Sequence, residues 1–73
     1  MTESENIVKE FSAICSLKGV TPKTVAENLY NENTKKIKIR KPSFTNQCLG
    51  LFKLSYDVGS ILKAYIDEEK TKH

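Results

Sequence analysis

Residues 19–33, GVTPKTVAENLYNEN, contain residues suited to each step of a tight turn between two helices. Gly19 can adopt the left-handed conformation that ends many helices. Thr21 can cap the following helix with its hydroxyl group. Pro22 suits the first helical position, where its missing N–H is not needed. The segment therefore predicts a helical hairpin closed by a short turn.

The segments on either side of this turn have the apolar spacing of helices. The pattern Thr2-x-x-Glu5 is a capping box and predicts a first helix over residues 3–18. A second helix is predicted over residues 22–31, where the polar run NENT ends it. The apolar residues that repeat with helical period are Ile7, Val8, Phe11, Ile14 and Cys15 in the first helix and Val25, Ala26, Leu29 and Tyr30 in the second.

Residues 35–41, KKIKIRK, follow a different period. Ile37 and Ile39 alternate with cations, which is typical of a β-strand with one apolar and one basic face. Pro42 is expected to end this strand because proline cannot donate to a β-ladder. The heptapeptide contains five cations and no acid, so it accounts for the positive balance of a chain whose net charge is +3.

The sequence of residues 43–70 fits two interpretations. Ser43 can cap a third helix, and the segment SYDVGS at residues 55–60 can break the chain, with Asp57 or Ser60 capping a fourth helix. Alternatively, residues 43–70 form one long helix with a heptad-like apolar spacing. We favour the break. The last apolar stripe consists of Val58, Ile61, Leu62, Tyr65 and Ile66.

Together these patterns predict one small domain over residues 1–73 that is mainly α with one short basic β-strand. Its parts are a helical hairpin over residues 3–31, the strand over residues 35–41, and one or two helices over residues 43–70. With 73 residues, of which 38% are apolar, the hydrophobic core is thin. A homodimer is expected, because a second copy could bury a shared face.

The cysteines and the N-terminus indicate an intracellular location. Cys15 and Cys48 fit no zinc or redox spacing and fall on apolar helix faces, as expected of buried thiols in a reducing compartment. The N-terminal segment is acidic rather than basic, so no signal peptide is expected. No apolar run is long enough to cross a membrane. We expect a cytoplasmic or nucleoid-associated protein.

The residues needed for catalysis are missing from the sequence. His73 is the only histidine and is the last residue, where it is expected to be mobile. No catalytic triad, metal-ligand cluster or glycine-rich phosphate loop can be assembled. We expect a binding protein without a cofactor rather than an enzyme.

The segment GVTPKTVAENL resembles the turn and recognition helix of helix-turn-helix DNA-binding proteins, in particular the lactose-repressor family. The resemblance covers about residues 11–30, and it implies that Thr21, Pro22, Lys23 and Thr24 face the major groove or its phosphates. The sequence departs from that family at two positions. Lys18 stands where a small or apolar residue is usual, and Glu27 places an acid on the outer helix face. A hairpin without a binding role fits the same residues.

A second resemblance covers residues 35–69, which are similar to the ribbon-helix-helix fold. In that fold two copies pair their strands, and the ribbon enters the major groove. The resemblance implies that Lys36, Lys38 and Arg40 lie on the DNA face and that Ile37 and Ile39 lie in the dimer core. It also implies that the backbone near Gly59 and Ser60 holds a phosphate. In a third arrangement the strand would form a wing beside the helix-turn-helix by pairing with another copy.

The function expected from these features is sequence-specific DNA binding, as a small transcriptional regulator or a mobile-element accessory factor. RNA is not excluded as the ligand. One alternative is that the cations merely protect a strand edge from aggregation. Another is a protein-interaction module or inhibitor that docks through the amphipathic C-terminal helix. The residues predicted to bind nucleic acid are Lys36, Lys38, Arg40, Lys41, Lys23, Thr24, Thr21 and Lys35.

Overall fold

The computed structural model describes residues 3–72 and contains four α-helices in this range. Helix α1 spans Glu3–Lys18, α2 spans Pro22–Glu32, α3 spans Lys41–Cys48 and α4 spans Tyr56–Thr71. The bounds of α1 match the prediction, and α2 extends one residue further than predicted. The capping box at Thr2 and the terminal His73 lie outside the described residues.

The turn between α1 and α2 forms as its residues predict. Gly19 has a φ of +71°, and the amides of Gly19 and Val20 donate to the carbonyls of Ser16 and Cys15 at 3.1 and 3.0 Å. This pair of bonds is a Schellman motif, which satisfies two carbonyls at the end of α1. Thr21 then caps α2 by accepting a hydrogen bond from the Thr24 amide at 3.3 Å.

The predicted β-strand is wrong: residues 3–72 include no strand. A turn covers residues 33–36, and an irregular segment follows up to Arg40. The isoleucines still face inward, since Ile37 is buried and Ile39 is partly buried. The alternation of apolar and basic residues therefore belongs to an irregular connection in which Ile37 and Ile39 pack on the helices. Without a strand, neither the ribbon-helix-helix arrangement nor the wing can form.

Helix α3 begins earlier than predicted. Lys41 is its first residue and Pro42 lies in its first turn, where proline costs no hydrogen bond. Proline therefore opens a helix here instead of ending a strand. Arg40 occupies the N-cap position and makes no side-chain capping bond, so Ser43 is not the cap.

The chain breaks between α3 and α4, as we favoured over one long helix. Gly50 ends α3 in a second Schellman motif, with a φ of +81° and a bond from the Leu51 amide to the Asn46 carbonyl at 2.9 Å. Ser55, rather than Asp57 or Ser60, caps α4 by accepting from the Val58 amide at 3.4 Å.

The four helices share one hydrophobic core. α1 packs mainly on α4 and α2 mainly on α3, with smaller contacts between α1 and α2 and between α3 and α4. Two edge-to-face aromatic pairs link helices across the core, Phe11 with Tyr65 and Tyr30 with Phe44. The largest fully buried side chains are Phe11, Phe44, Leu62, Val58, Cys15 and Cys48.

Both cysteines are free thiols in the core, which confirms the prediction of small buried hydrophobic residues. Burial raises the pKa of the Cys48 thiol to about 12. Burial also raises the pKa of Cys15 above its ordinary value. Both side chains are therefore neutral at physiological pH.

Gly19 and Gly50 both end a helix in the left-handed conformation, but only Gly50 is closely packed. Replacing each with alanine therefore separates the cost of the conformation from the cost of the packing. A Cβ on Gly50 would lie 3.3 Å from Val8 Cγ1, whereas a Cβ on Gly19 would meet nothing within 4 Å. We expect Gly19→Ala to lower the free energy of unfolding by about 1 kcal/mol, the cost of a left-handed alanine. Gly50→Ala should cost roughly 1 kcal/mol more because Val8 must also move. Urea denaturation followed by circular dichroism measures both, and equal losses would show that the Val8 contact is unimportant.

Candidate nucleic-acid interface

The segment of residues 35–41, called the basic connection below, links α2 to α3. Its start is fixed at the end of α2, where the Asn33 side-chain amide donates to the Leu29 carbonyl at 2.7 Å and the Lys36 amide donates to the Asn33 carbonyl at 2.9 Å. Its middle is anchored by the burial of Ile37. The five cations of the segment are all exposed: Lys35, Lys36, Lys38, Arg40 and Lys41.

None of these five cations forms an ion pair with another residue between positions 3 and 72. Lysines elsewhere do form ion pairs, which connect α1 with α4 or join acids of α4 to its C-cap residue Lys72. These pairs join Lys18 to Glu69, Lys63 to Glu3, Lys70 to Glu10, and Lys72 to Glu68 and Glu69. The surface of α1 and α4 thus neutralises much of its own charge, while the charge of the basic connection stays uncompensated.

The most buried of these ion pairs explains why a cation stands at position 18. Lys18 Nζ lies 2.7 Å from Glu69 Oε1, and the Glu69 side chain is only 8% exposed. Lys18 also donates to the Tyr65 hydroxyl at 3.3 Å. The hydrogen bond from Lys18 to Glu69 holds the pKa of Glu69 below its ordinary value. The same bond and the bond to Tyr65 raise the pKa of Lys18. Lys18 therefore ties the end of α1 to α4, which is a structural role.

This pair predicts a pH-dependent contribution to stability. Because the pKa of Glu69 is lowered by folding, its contribution is complete above the ordinary value of 4.5 and is lost as the pH falls below it. We expect Glu69→Gln to lower the melting temperature at pH 7, with the difference from the wild type shrinking towards pH 3. Glu68→Gln is the control, since that exposed acid lies 3.7 Å from Lys72. Equal shifts for the two variants would contradict the role of the Lys18 contact.

The start of α2 holds the second group of predicted contacts. Thr21, Lys23 and Thr24 are all exposed, and Lys23 has no ion-pair partner among the described residues. The two threonine hydroxyls lie 2.7 Å apart, and the Thr21 oxygen also caps the helix. Val25 and Leu29 are buried, as the apolar spacing of the second helix predicts.

A groove of about 670 Å³ separates α2 from α4. It brings two of the predicted binding residues together, since Thr24 and Lys36 both line it. Its charged lining is balanced, with three lysines and three glutamates: Lys18, Lys36, Lys72, Glu32, Glu68 and Glu69. The groove is therefore not a positive cleft. The remaining cations of the basic connection lie outside it.

The phosphate site that the ribbon-helix-helix resemblance placed near Gly59 is absent. Gly59 is buried, its amide donates to the Ser55 carbonyl at 2.9 Å, and a Cβ there would lie 3.4 Å from a Leu54 methyl group. Ser60 is exposed, but it lines the neutral groove. A phosphate cannot reach the Gly59 backbone.

The apolar stripe of α4, named above as a docking surface, belongs to the chain's own core, where Val58, Leu62 and Ile66 are buried. The apolar residues that remain accessible between α3 and α4 are Leu51 and Phe52, which are 69% and 54% exposed. With Val8 and Leu54 they line a depression of about 560 Å³, called the apolar surface below. This surface was not predicted from the sequence; Gly50 followed by two apolar residues was the signal that could have indicated it.

In the part of the chain that the structure describes, no helix combines the length and apolar composition needed to span a membrane. The same residues contain no group of three histidine, cysteine, aspartate or glutamate side chains placed to hold a metal ion. Comparison of the chain with protein-family models, curated proteins and solved structures finds no match.

Proposed function

We propose that this protein binds DNA through the basic connection. The observation that carries the proposal is the exposure of five cations, without an acid partner in residues 3–72, on a segment whose isoleucines face the core. Lysine and arginine side chains displace the counterions condensed on a phosphate backbone, and this release drives binding. A segment held by the end of α2, by the buried Ile37 and by the start of α3 presents these charges with less loss of conformational entropy than a free tail.

The start of α2 is the second contact in this proposal. Lys23 lies in the first turn, where the helix dipole disfavours a cation, and a phosphate nearby would offset that cost. The finer expectation from the sequence, a sequence-specific regulator or mobile-element accessory factor, goes beyond this proposal. It requires that α2 also read base edges.

Lys38→Gln tests the basic connection, and Lys53→Gln is the matched control. Both lysines are exposed, and neither has an ion-pair partner in residues 3–72, so the variants lose the same charge. We expect Lys38→Gln to weaken binding to a labelled DNA duplex roughly fivefold to tenfold at 0.1 M salt, because one phosphate contact is lost. The slope of log affinity against log salt should decrease by about 1. Fluorescence anisotropy titrations at several salt concentrations measure both quantities.

Lys53→Gln should leave the affinity and the slope close to those of the wild type. Equal effects of the two variants would show that only net charge matters, and the basic connection would lose its assignment. No binding of the wild type at low salt would refute DNA binding itself.

We propose secondly that two copies associate through the apolar surface, which would give the homodimer expected from the thin core. Its support is that the exposed residues Leu51 and Phe52 lie on a turn held at both ends. Gly50 approaches Val8 on one side, and the Ser55 amide donates to the Gln47 side chain at 2.8 Å on the other. One exposed aromatic residue can bury about 200 Å², whereas a stable standard interface buries about 800 Å² per partner. Association through this surface alone is therefore weak.

Sedimentation equilibrium from micromolar to millimolar concentration tests this association. We expect the wild type to become dimeric only towards the upper end, and Phe52→Ser to stay monomeric. Leu17→Ser is the control, because Leu17 is 88% exposed near the far end of α1. Dimerisation of Phe52→Ser at the wild-type concentration would rule out the apolar surface as the contact.

A further inference from the structure

We infer that this protein holds the phosphate backbone of DNA without reading its sequence. The inference rests on the proposed DNA binding and concerns how the same surface recognises its ligand. Base edges in the major groove are reached by a helix or a two-stranded ribbon. The described residues include no strand, so α2 is the element that the helix-turn-helix resemblance leaves for this task, and its outer face is unsuited to it.

The acids on α2 prevent it from lying along a groove. Glu27 is half-buried on the outer face and Glu32 is exposed at the C-terminal end. Neither forms an ion pair with a residue between positions 3 and 72. In a major groove about 12 Å wide, both carboxylates would lie close to phosphates of the two strands, and like charges repel. The groove beside α2 adds no positive surface, because Glu68 and Glu69 also line it.

The polar residues at the start of α2 have limited capacity to read bases. The Thr21 hydroxyl accepts from the Thr24 amide and lies 2.7 Å from the Thr24 hydroxyl, so these groups already bond to each other. Lys23 is left as the charged contact. A single ammonium group on a flexible stem suits a phosphate better than a defined base edge.

The composition of the basic connection also favours contact with phosphates over contact with base edges. Four of its five cations are lysines, and Arg40 is the exception. Arginine forms the paired hydrogen bonds that identify guanine, whereas lysine acts as a point charge with three rotating donors. Residues 35–40 of the segment form a turn and an irregular stretch rather than a helix, so successive side chains do not follow the spacing of base pairs. The segment is built to neutralise phosphates.

Competition experiments test this inference directly. A labelled duplex bound by the wild-type protein is displaced by unlabelled duplexes of equal length and unrelated sequence. We expect their affinities to agree within about threefold, since specific DNA-binding proteins prefer their sites by at least about a thousandfold. A sequence selected from a random pool that binds a hundredfold more tightly would overturn the inference. An RNA duplex that displaces the DNA tenfold better would overturn the assignment to DNA.

Glu27→Gln distinguishes binding to phosphates alone from binding that also reads base edges. If the protein holds only phosphates, removing this charge should raise the affinity for every duplex about twofold at low salt and leave their ranking unchanged. If Glu27 reads a base, the variant should bind one sequence less well and change the ranking, which overturns the inference. Asp67→Asn is the control, because it removes an exposed acid from α4. No binding to any duplex would instead refute the proposed function on which the inference depends.

Discussion

The arrangement of this protein depends on tertiary burial of α3, the shortest helix. An isolated helix of eight residues is unstable in water, so α3 exists because Phe44 and Cys48 are buried between its neighbours. The two surfaces discussed above flank this helix, with the basic connection before it and the turn of Leu51 and Phe52 after it. Any change that loosens Phe44 should therefore disturb both surfaces together.

The distribution of paired and unpaired charge distinguishes the two sides of the molecule. On α1 and α4, long-range pairs such as Lys18 with Glu69 and Lys70 with Glu10 bind helices to each other. On the basic connection no such pair forms within residues 3–72. A polyanion that approached α1 and α4 would have to compete with carboxylates already in place. At the basic connection it would meet cations that have no carboxylate partner among residues 3–72.

The elements that the sequence predicted correctly are those determined by neighbouring residues. Gly19, Thr21 and Pro22 act within a few residues of themselves, so the end of α1 and the start of α2 could be predicted. The strand was wrong because alternation of Ile37 and Ile39 with lysines reports only which side chains are buried. Whether such a segment forms a β-ladder depends on whether a second strand from a distant part of the chain lies beside it. The location of the cations was predictable, but the pairing of Lys18 with Glu69, 51 positions apart, was not.

Local charge, rather than the net charge of +3, governs how a polyanion would meet this molecule. At 0.1 M salt the Debye length is about 10 Å, and the molecule extends 32 by 28 by 19 Å. Charges much farther than this from a bound phosphate are therefore largely screened, whereas the five cations of the basic connection lie within seven residues of one another. Glu27 and Glu32 belong to the helix that leads into this segment, so a bound duplex would experience their repulsion, as it would that of Glu68 and Glu69 where Lys36 meets the groove. The position of Glu27 and Glu32 would limit α2 to contact through its first turn, and this constraint would orient a bound duplex across the connection.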